Sequence, residues 1–485
     1  MPVGSVARAE KAFTITNKYC IQNKIITSNV LRPKSWKKEV NMRKIAFIFL
    51  IGIVFSLAIA AQVRVTPLNI KERTLANGLK VVSLQDNSSP TVAIHVWYNV
   101  GGKNDPQGKS GFAHMFEHMM FKSTKNMPNE KMDRLTEDVG GFNNASTWDD
   151  FTNYYEVVPS NYLETLLWAE AERMANLNVD DANFASERDV VKEEYRQSVL
   201  AQPYGQFNEY IGSLTYTKHP YTRGVIGNLD QLDAATSADA RAFHSLYYRP
   251  DNAYLIVVGD FDEKQFEAWT DKYLGKVAKP KSTIPRVTEI EPAKAQEERF
   301  EKTAPNVPFP AVAISYLGPK SDSPDIPALR IADKILSGGE SSRLYQSLVY
   351  KQQIAQEASF NLDNKVDGGL LYFMAIASEG KKAPELEKSL LAELNLIQTK
   401  GVTASELAKA KNQLIADAIR GRENNDGKAI VIERAIAYQH DPKAVNSDIQ
   451  KLQAVTLADV QRVMKKYFTD TNRVVIYYSN DGGAK

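Results

Sequence analysis

The chain repeats itself, and this limits its fold more than any other feature. LDAATSADARAFHSLYYRPDNAYLIVVGD, Leu232 to Asp260, aligns without a gap to LQAVTLADVQRVMKKYFTDTNRVVIYYSN, Leu452 to Asn480. The offset is constant: Leu232 falls on Leu452, Thr236 on Thr456, Asp239 on Asp459, Tyr247 on Tyr467 and Asn252 on Asn472. Each copy reads as a capped helix running into an apolar strand. A gapless match of this length points to duplication, so two halves of one architecture are expected. A chain of 485 residues is long enough for two or three cores. The joint should fall near VAKPKSTIPRVTEIEP, Val277 to Pro292, where Lys and Pro cluster and apolar periodicity lapses. One domain is therefore expected over 62–280 and a homologous one over 281–485.

Within the halves the pattern is mixed. Glu72 to Asp86 reads as a hairpin-like pair around Asn77-Gly78, and TVAIHVWYNVG, Thr91 to Gly101, alternates as a strand. His95 in that strand reads as structural rather than as a ligand. Long helices are expected over 161–175 and 405–420. The fold class is α+β, each half an antiparallel-rich sheet with packed helices.

The first 61 residues stand apart from this pattern. Met42-Arg43-Lys44 starts a short basic stretch, Ile45 to Ala61 is almost unbroken apolar sequence, and Ala58-Ile59-Ala60 supplies small residues for cleavage. That reads as a secretory signal peptide over 42–61, too short for a comfortable membrane span, which makes 1–41 a mis-assigned upstream extension. An uncleaved membrane anchor is the alternative. Residues 1–61 hold ten Lys/Arg against two Asp/Glu, so the overall charge of +2 becomes −6 beyond them. No basic excess remains to suggest nucleic acid. The one cysteine, Cys20, lies upstream of the signal, so the exported chain would have neither disulfides nor thiol chemistry. The expected location is periplasmic or secreted.

The chemistry is concentrated in GFAHMFEHMMF, Gly111 to Phe121, where His114, Glu117 and His118 form H-x-x-E-H. On a helix, residues four apart lie on one face, so both imidazoles can reach one metal with Glu117 beside them to handle a proton. This is the inverted zinc-peptidase signature. A catalytic zinc usually takes three protein ligands and leaves one position open. SERDVVKEEYRQ, Ser186 to Gln197, is the strongest source of the third: it is helix-forming, opens with a serine that can cap it, and carries Glu187 and Glu194 on one face.

With these motifs, nearly all of the chain from about Asn69 to Tyr478 resembles the pitrilysin/insulinase family of zinc peptidases, of the bacterial two-domain type and similar to mitochondrial processing peptidase beta subunits. In that family a glutamate at a set distance beyond the second histidine completes the site, and Glu194 stands at that distance from His118. The resemblance therefore implies one Zn2+ per chain on His114, His118 and Glu194, with Glu187 a nearby supporting acid and Glu193 the neighbour most easily confused with Glu194. It also implies two similar halves forming a clamshell around a chamber. The ligands occur in one half, because the matching stretch LRIADKILSGGESSRL, Leu329 to Leu344, has no histidine.

GGFNNASTWDDFTNYYEVV, Gly140 to Val158, resembles the family's edge strand beside the zinc, and Asn144, Ala145 and Ser146 are expected to bind an extended peptide there. The second half departs from the family. SSRLYQSLVYKQQIAQ, Ser341 to Gln356, has Val349 and Gln356 where active single-chain members carry an arginine and a tyrosine that hold the substrate carbonyl. Some members divide these roles between homologous subunits, and this chain resembles the zinc-bearing one. The expected activity is endopeptidase action on short or unfolded peptides, with Glu117 as the base and a homologous Arg/Tyr-bearing partner. A non-catalytic peptide-binding or assembly subunit is the alternative.

Overall fold

The computed structural model describes residues 65–480, so the signal segment and Cys20 lie outside the described residues. The first half runs β1 (Lys71–Thr74), β2 (Lys80–Gln85), β3 (Thr91–Tyr98), α1 (Phe112–Met119), α2 (Lys131–Glu137), β4 (Phe142–Thr147) and β5 (Thr152–Pro159). It continues with α3 (Leu163–Asn176), α4 (Asp181–Tyr195), α5 (Gly205–Thr215), α6 (Leu229–Ala234), α7 (Ser237–Tyr247), β6 (Ala253–Gly259) and α8 (Glu263–Tyr273). Residues 277–297 carry no helix or strand. The second half gives β7 (Glu298–Ala304), β8 (Ala311–Leu317), α9 (Ile326–Ser337), β9 (Ala355–Asp363), β10 (Leu370–Ala377) and α10 (Ala383–Lys400). It ends with α11 (Ala404–Arg420), α12 (Asn425–Gln439), α13 (Asp448–Ala454), α14 (Leu457–Tyr467) and β11 (Arg473–Asn480).

The strands form two sheets, ordered β1-β2-β6-β3-β5-β4 and β7-β11-β8-β10-β9. Without β1 the two orders are the same, and each contains one parallel pair, β2 with β6 and β7 with β11, among antiparallel neighbours. The repeat read in the sequence is thus a repeat of topology. Its matched residues do matched work. Thr236 with Asp239 and Thr456 with Asp459 form the same capping box on α7 and α14, worth about 1 kcal/mol each. Asn252 donates to the carbonyls of Tyr247 and Asn99, and Asn472 to those of Tyr467 and Leu317, tying each helix end to the central strand of its sheet.

Each sheet has its own helical layer on one face. Val92, Ile94, Val96 and Tyr98 of β3 pack under residues of α1, α3 and α7, and Val312, Ile314 and Tyr316 of β8 under residues of α9, α10 and α14. The opposite faces are covered by exchange. Ala429, Ile432, Ala435 and Ile436 of α12, from the second half, cover Val82, Ala93, Trp97 and Ile256 of the first sheet. Phe207 and Ile211 of α5, from the first half, cover Ala313, Val474, Ile476 and Tyr478 of the second. Gly205 and Asn425, which open the two helices, keep the same offset as Leu232 and Leu452, so the exchanged helices are themselves part of the repeat.

This exchange corrects one expectation. The alternation read in β3 predicts one buried and one solvated face, yet every residue after Thr91 in it is buried, because α12 supplies the second cover. His95 is structural, as expected. It lies on the α12 side of β3 and bonds Glu433 from Nδ1 (2.9 Å) and Asp426 from Nε2 (3.2 Å), while Asn153 donates to the other Glu433 oxygen. The long helices expected over 161–175 and 405–420 are α3 and α11.

Candidate metal centre

Helix α1 is seated by its N-terminal end and its apolar face. Gly111 precedes it at φ +96°, where a Cβ would collide with the Ile226 carbonyl oxygen, so only glycine fits. Asp105 accepts from the Gly111 and Ala113 amides at 2.6 and 2.9 Å, filling the open N-terminal donors. Burial pushes the Asp105 carboxyl up to about 7, and the helix amides hold it back from rising further. Nothing in the motif spacing singles out Asp105. Phe112, Met115, Phe116 and Met119 point into the first core, which leaves His114, Glu117 and His118 to face the other way.

Helix α4 faces α1. Its start corrects the sequence reading: the helix begins at Asp181 with Asp180 as its cap, and Ser186 lies inside it, donating to Glu187. The helix nevertheless delivers Glu194 to both histidines. Glu194 Oε2 stands 3.3 Å from His118 Nε2 and 3.7 Å from His114 Nε2. Glu193 points away, accepting from Gln197 and Arg196. Ligand atoms of His114, His118 and Glu194 all lie within 4.8 Å of one another, the one such group among the described residues. Tetrahedral zinc with bonds near 2.0–2.1 Å separates its ligand atoms by about 3.3 Å, so the set fits that ion. Glu117 Oε2 lies 3.9 Å from His114 Nε2, beside the three rather than among them.

Charge at the site differs between the two histidines. Burial, with His118 alongside, pushes His114 down to about 4, which keeps that imidazole neutral and free to ligate. Burial also opposes charge on His118, but its hydrogen bond to Glu194 and the Glu117 and Glu187 carboxylates outweigh this and raise its pKa. Glu194 is held low by its bond to His118. Burial raises the Glu117 carboxyl, opposed by donors from Thr147, a residue that no motif singles out. Glu187 is buried, 3.9 Å from His118 Nδ1, and Lys122 Nζ holds its other oxygen at 2.6 Å.

β4 is the outermost strand of its sheet and runs beside α1. Asn144 is exposed, Ala145 buried and Ser146 half-buried. Asn144 Oδ1 accepts from the Ala145 amide at 2.8 Å, and Ser146 accepts from Trp148 Nε1. In the second half, Val349 packs against the core and Gln356 donates to the Ala377 carbonyl. Arg343 grips Glu406 through two bonds. A cavity of about 1120 Å³ opens past the β4–β5 turn, lined by Ser146 and Trp148 but by none of His114, Glu117, His118 or Glu194.

An H-x-x-E-H helix and a distant glutamate, here on one of two duplicated α+β halves, follow the pattern of the inverted zinc-peptidase signature. Comparison agrees: residues 80–228 match the family described as insulinase (peptidase family M16), and 234–414 the one described as the peptidase M16 inactive domain. Zinc protease PqqE of Helicobacter pylori is 32% identical over 406 residues, 83% of this chain and 91% of that protein. A crystal structure of a protease from Helicobacter pylori superposes with a TM-score of 0.83 at 32% identity, covering 85% of this chain and all of that one. A peptidase M16 inactive domain from Pseudomonas fluorescens shares the fold, with a TM-score of 0.76 at 19% identity over 86% of this chain and 99% of that one. The chain belongs to the M16, or insulinase, family of peptidases. No helix among the described residues is long and apolar enough to cross a membrane.

Proposed function

We propose that the chain is an exported zinc-dependent endopeptidase acting on short or unfolded peptides. The observation that carries this is the convergence of His114, His118 and Glu194 with Glu117 beside them. His114, His118 and Glu194 would hold the metal, whose chemistry there would be to acidify a water and polarise the scissile carbonyl. Glu117 takes the water proton and passes it to the leaving amine, its burial favouring the protonated form midway. Glu187, fixed by Lys122, supports His118 from behind. β4 binds the peptide through backbone hydrogen bonds opposite Asn144, Ala145 and Ser146, displacing the Asn144 side chain from the Ala145 amide.

Val349 cannot donate, and Gln356 is engaged with Ala377, so neither stands in for the arginine and tyrosine of active relatives. We therefore propose that this chain is the zinc-bearing subunit of a heterodimer whose homologous partner brings that pair. The second reading, a non-catalytic peptide-binding subunit, is favoured by the second half's match to the M16 inactive domain. Zinc content and hydrolysis of an unstructured peptide, measured alone and after mixing with an Arg/Tyr-bearing homologue, separate the two. One zinc per chain with turnover rising by orders of magnitude on mixing is expected. Full activity from the isolated chain refutes the heterodimer, and zinc-free protein without turnover in either state refutes the peptidase.

A further inference from the structure

The cavity past the β4–β5 turn holds cationic groups that the fold leaves unanswered. Its walls are Ser146 and Trp148 at one end of the peptide edge, α9, α12, and the segment joining α11 to α12. Arg330 of α9 and Arg434 of α12 line it, and neither makes a hydrogen bond or close ion pair among the described residues. Arg422 gives one Nη to the Val445 carbonyl at 2.7 Å, but its Nε is buried with no partner among them. Burial lowers the pKa of Arg330, which has no acceptor in contact, and of Arg422, whose one acceptor is the Val445 carbonyl.

Acids also line the cavity, but most are engaged. Asp149 and Asp363 hold Lys365, Asp417 holds Lys334, Glu433 holds His95, and Asp448 accepts from Gln439. Asp448, Asp333 and Asp417 act on Arg330 only from beyond contact distance. Asp333 lacks a partner among the described residues, and burial lifts it to about 6, toward its neutral form. Asp322, exposed at the cavity, also has no partner among the described residues, yet no carboxylate among them stands within contact distance of Arg330, Arg422 or Arg434. Position suggests the source of one: Ser146 and Trp148, at the C-terminal end of β4, line the cavity, and Trp148 is 52% exposed and offers an aromatic wall.

We propose that this cavity receives an acidic stretch of the bound peptide, with a side-chain or terminal carboxylate held by Arg330 and Arg434 and steadied by Arg422. The proposal rests on the peptide-binding reading of β4 and names the substrate class: extended peptides with an acidic residue a few positions from the bond to be cut. Zinc and Glu117 choose the bond, while the arginines choose which peptides come to it.

The test is fluorescence anisotropy on the Glu117→Gln protein, which binds without cutting. Labelled peptides of equal length carry Glu, Gln or Lys on the N-terminal side of the central sequence in one set and on the C-terminal side in another. In one set the Glu peptide should bind about tenfold more tightly than the Gln peptide, as expected for a charge-assisted hydrogen bond partly screened by water. Arg330→Met and Arg434→Met should each erase that preference and leave the Gln peptide's Kd unchanged. Asp333→Asn should strengthen it. Arg434 is exposed, so its variant carries the test even if Arg330→Met fails to fold. Equal binding of Glu and Gln peptides in both sets, or arginine variants that weaken both alike, overturns the proposal. Failure of every peptide to bind overturns the peptide-edge reading, and this inference with it.

Discussion

Replacing Glu117 with Gln separates proton handling from metal binding. Glu117 stands 3.9 Å from His114 Nε2, outside the group formed by His114, His118 and Glu194, so its loss removes no ligand atom. The carboxamide has the same shape and can still accept from Thr147. Burial already disfavours the charge on Glu117, so its removal costs the fold little beyond the pull of that carboxylate on His118. Unfolding free energy should therefore change by less than about 1 kcal/mol. What the variant loses is the acceptor for the water proton. A positioned general base contributes about 10²–10⁴-fold, or roughly 2.7–5.4 kcal/mol of barrier. Zinc is measured by atomic absorption on dialysed protein, stability by urea unfolding, and kcat with a quenched fluorescent peptide in the presence of the partner subunit. The expected result is full zinc, wild-type stability and a loss of at least about 100-fold in kcat. Turnover within tenfold of wild type with zinc retained would place the base elsewhere, and loss of zinc would make Glu117 a ligand.

Glu194→Gln should sharply reduce zinc binding while Glu193→Gln leaves it unchanged, because only Glu194 faces the histidines; zinc titration of both variants decides it. Phe207→Ala should cost about 3–5 kcal/mol, since Phe207 is fully buried against Tyr478, and hydrogen exchange should quicken in β8 and β11 of the other half. His95→Gln should flatten the pH dependence of stability. Burial opposes charge on His95, but Asp426 and Glu433 prevail and raise its pKa. Its contribution is therefore complete below the unfolded value near 6.5 and lost as pH rises through the folded one. Urea midpoints across neutral pH check this, and an unchanged slope in the variant refutes the charged clamp.

What was legible in the sequence was local or periodic. The constant offset between the halves is visible because Thr236, Asp239 and Asn252 each have a fixed partner within a few residues, and their copies keep it. The H-x-x-E-H spacing is a property of one helical turn, and Glu194 is singled out by a family resemblance, its carboxylate lying within 3.7 Å of both histidines. Thr147 and Asp105 were not legible, because their roles depend on a strand and a loop folding back against α1. The Ser186 cap failed for another reason: a serine inside a helix looks the same in sequence as one before it, and Asp180 was the better acceptor. The second cover on β3 was hidden for the same cause as Thr147, and more deeply, since α12 belongs to the other half of the chain.

The exchange of α5 and α12 bears on how such a molecule could arise and come apart. An isolated half would present a bare apolar sheet face, its own covering helix reaching out toward nothing. Two copies of a single ancestral half could close both faces only by docking with each other, so the duplicated chain has the form of a fused dimer. Fusion makes that docking intramolecular, with an effective concentration in the millimolar range. A nick in the stretch 277–297, which carries no helix or strand, should then yield two fragments that stay together, each completed by a helix belonging to the other.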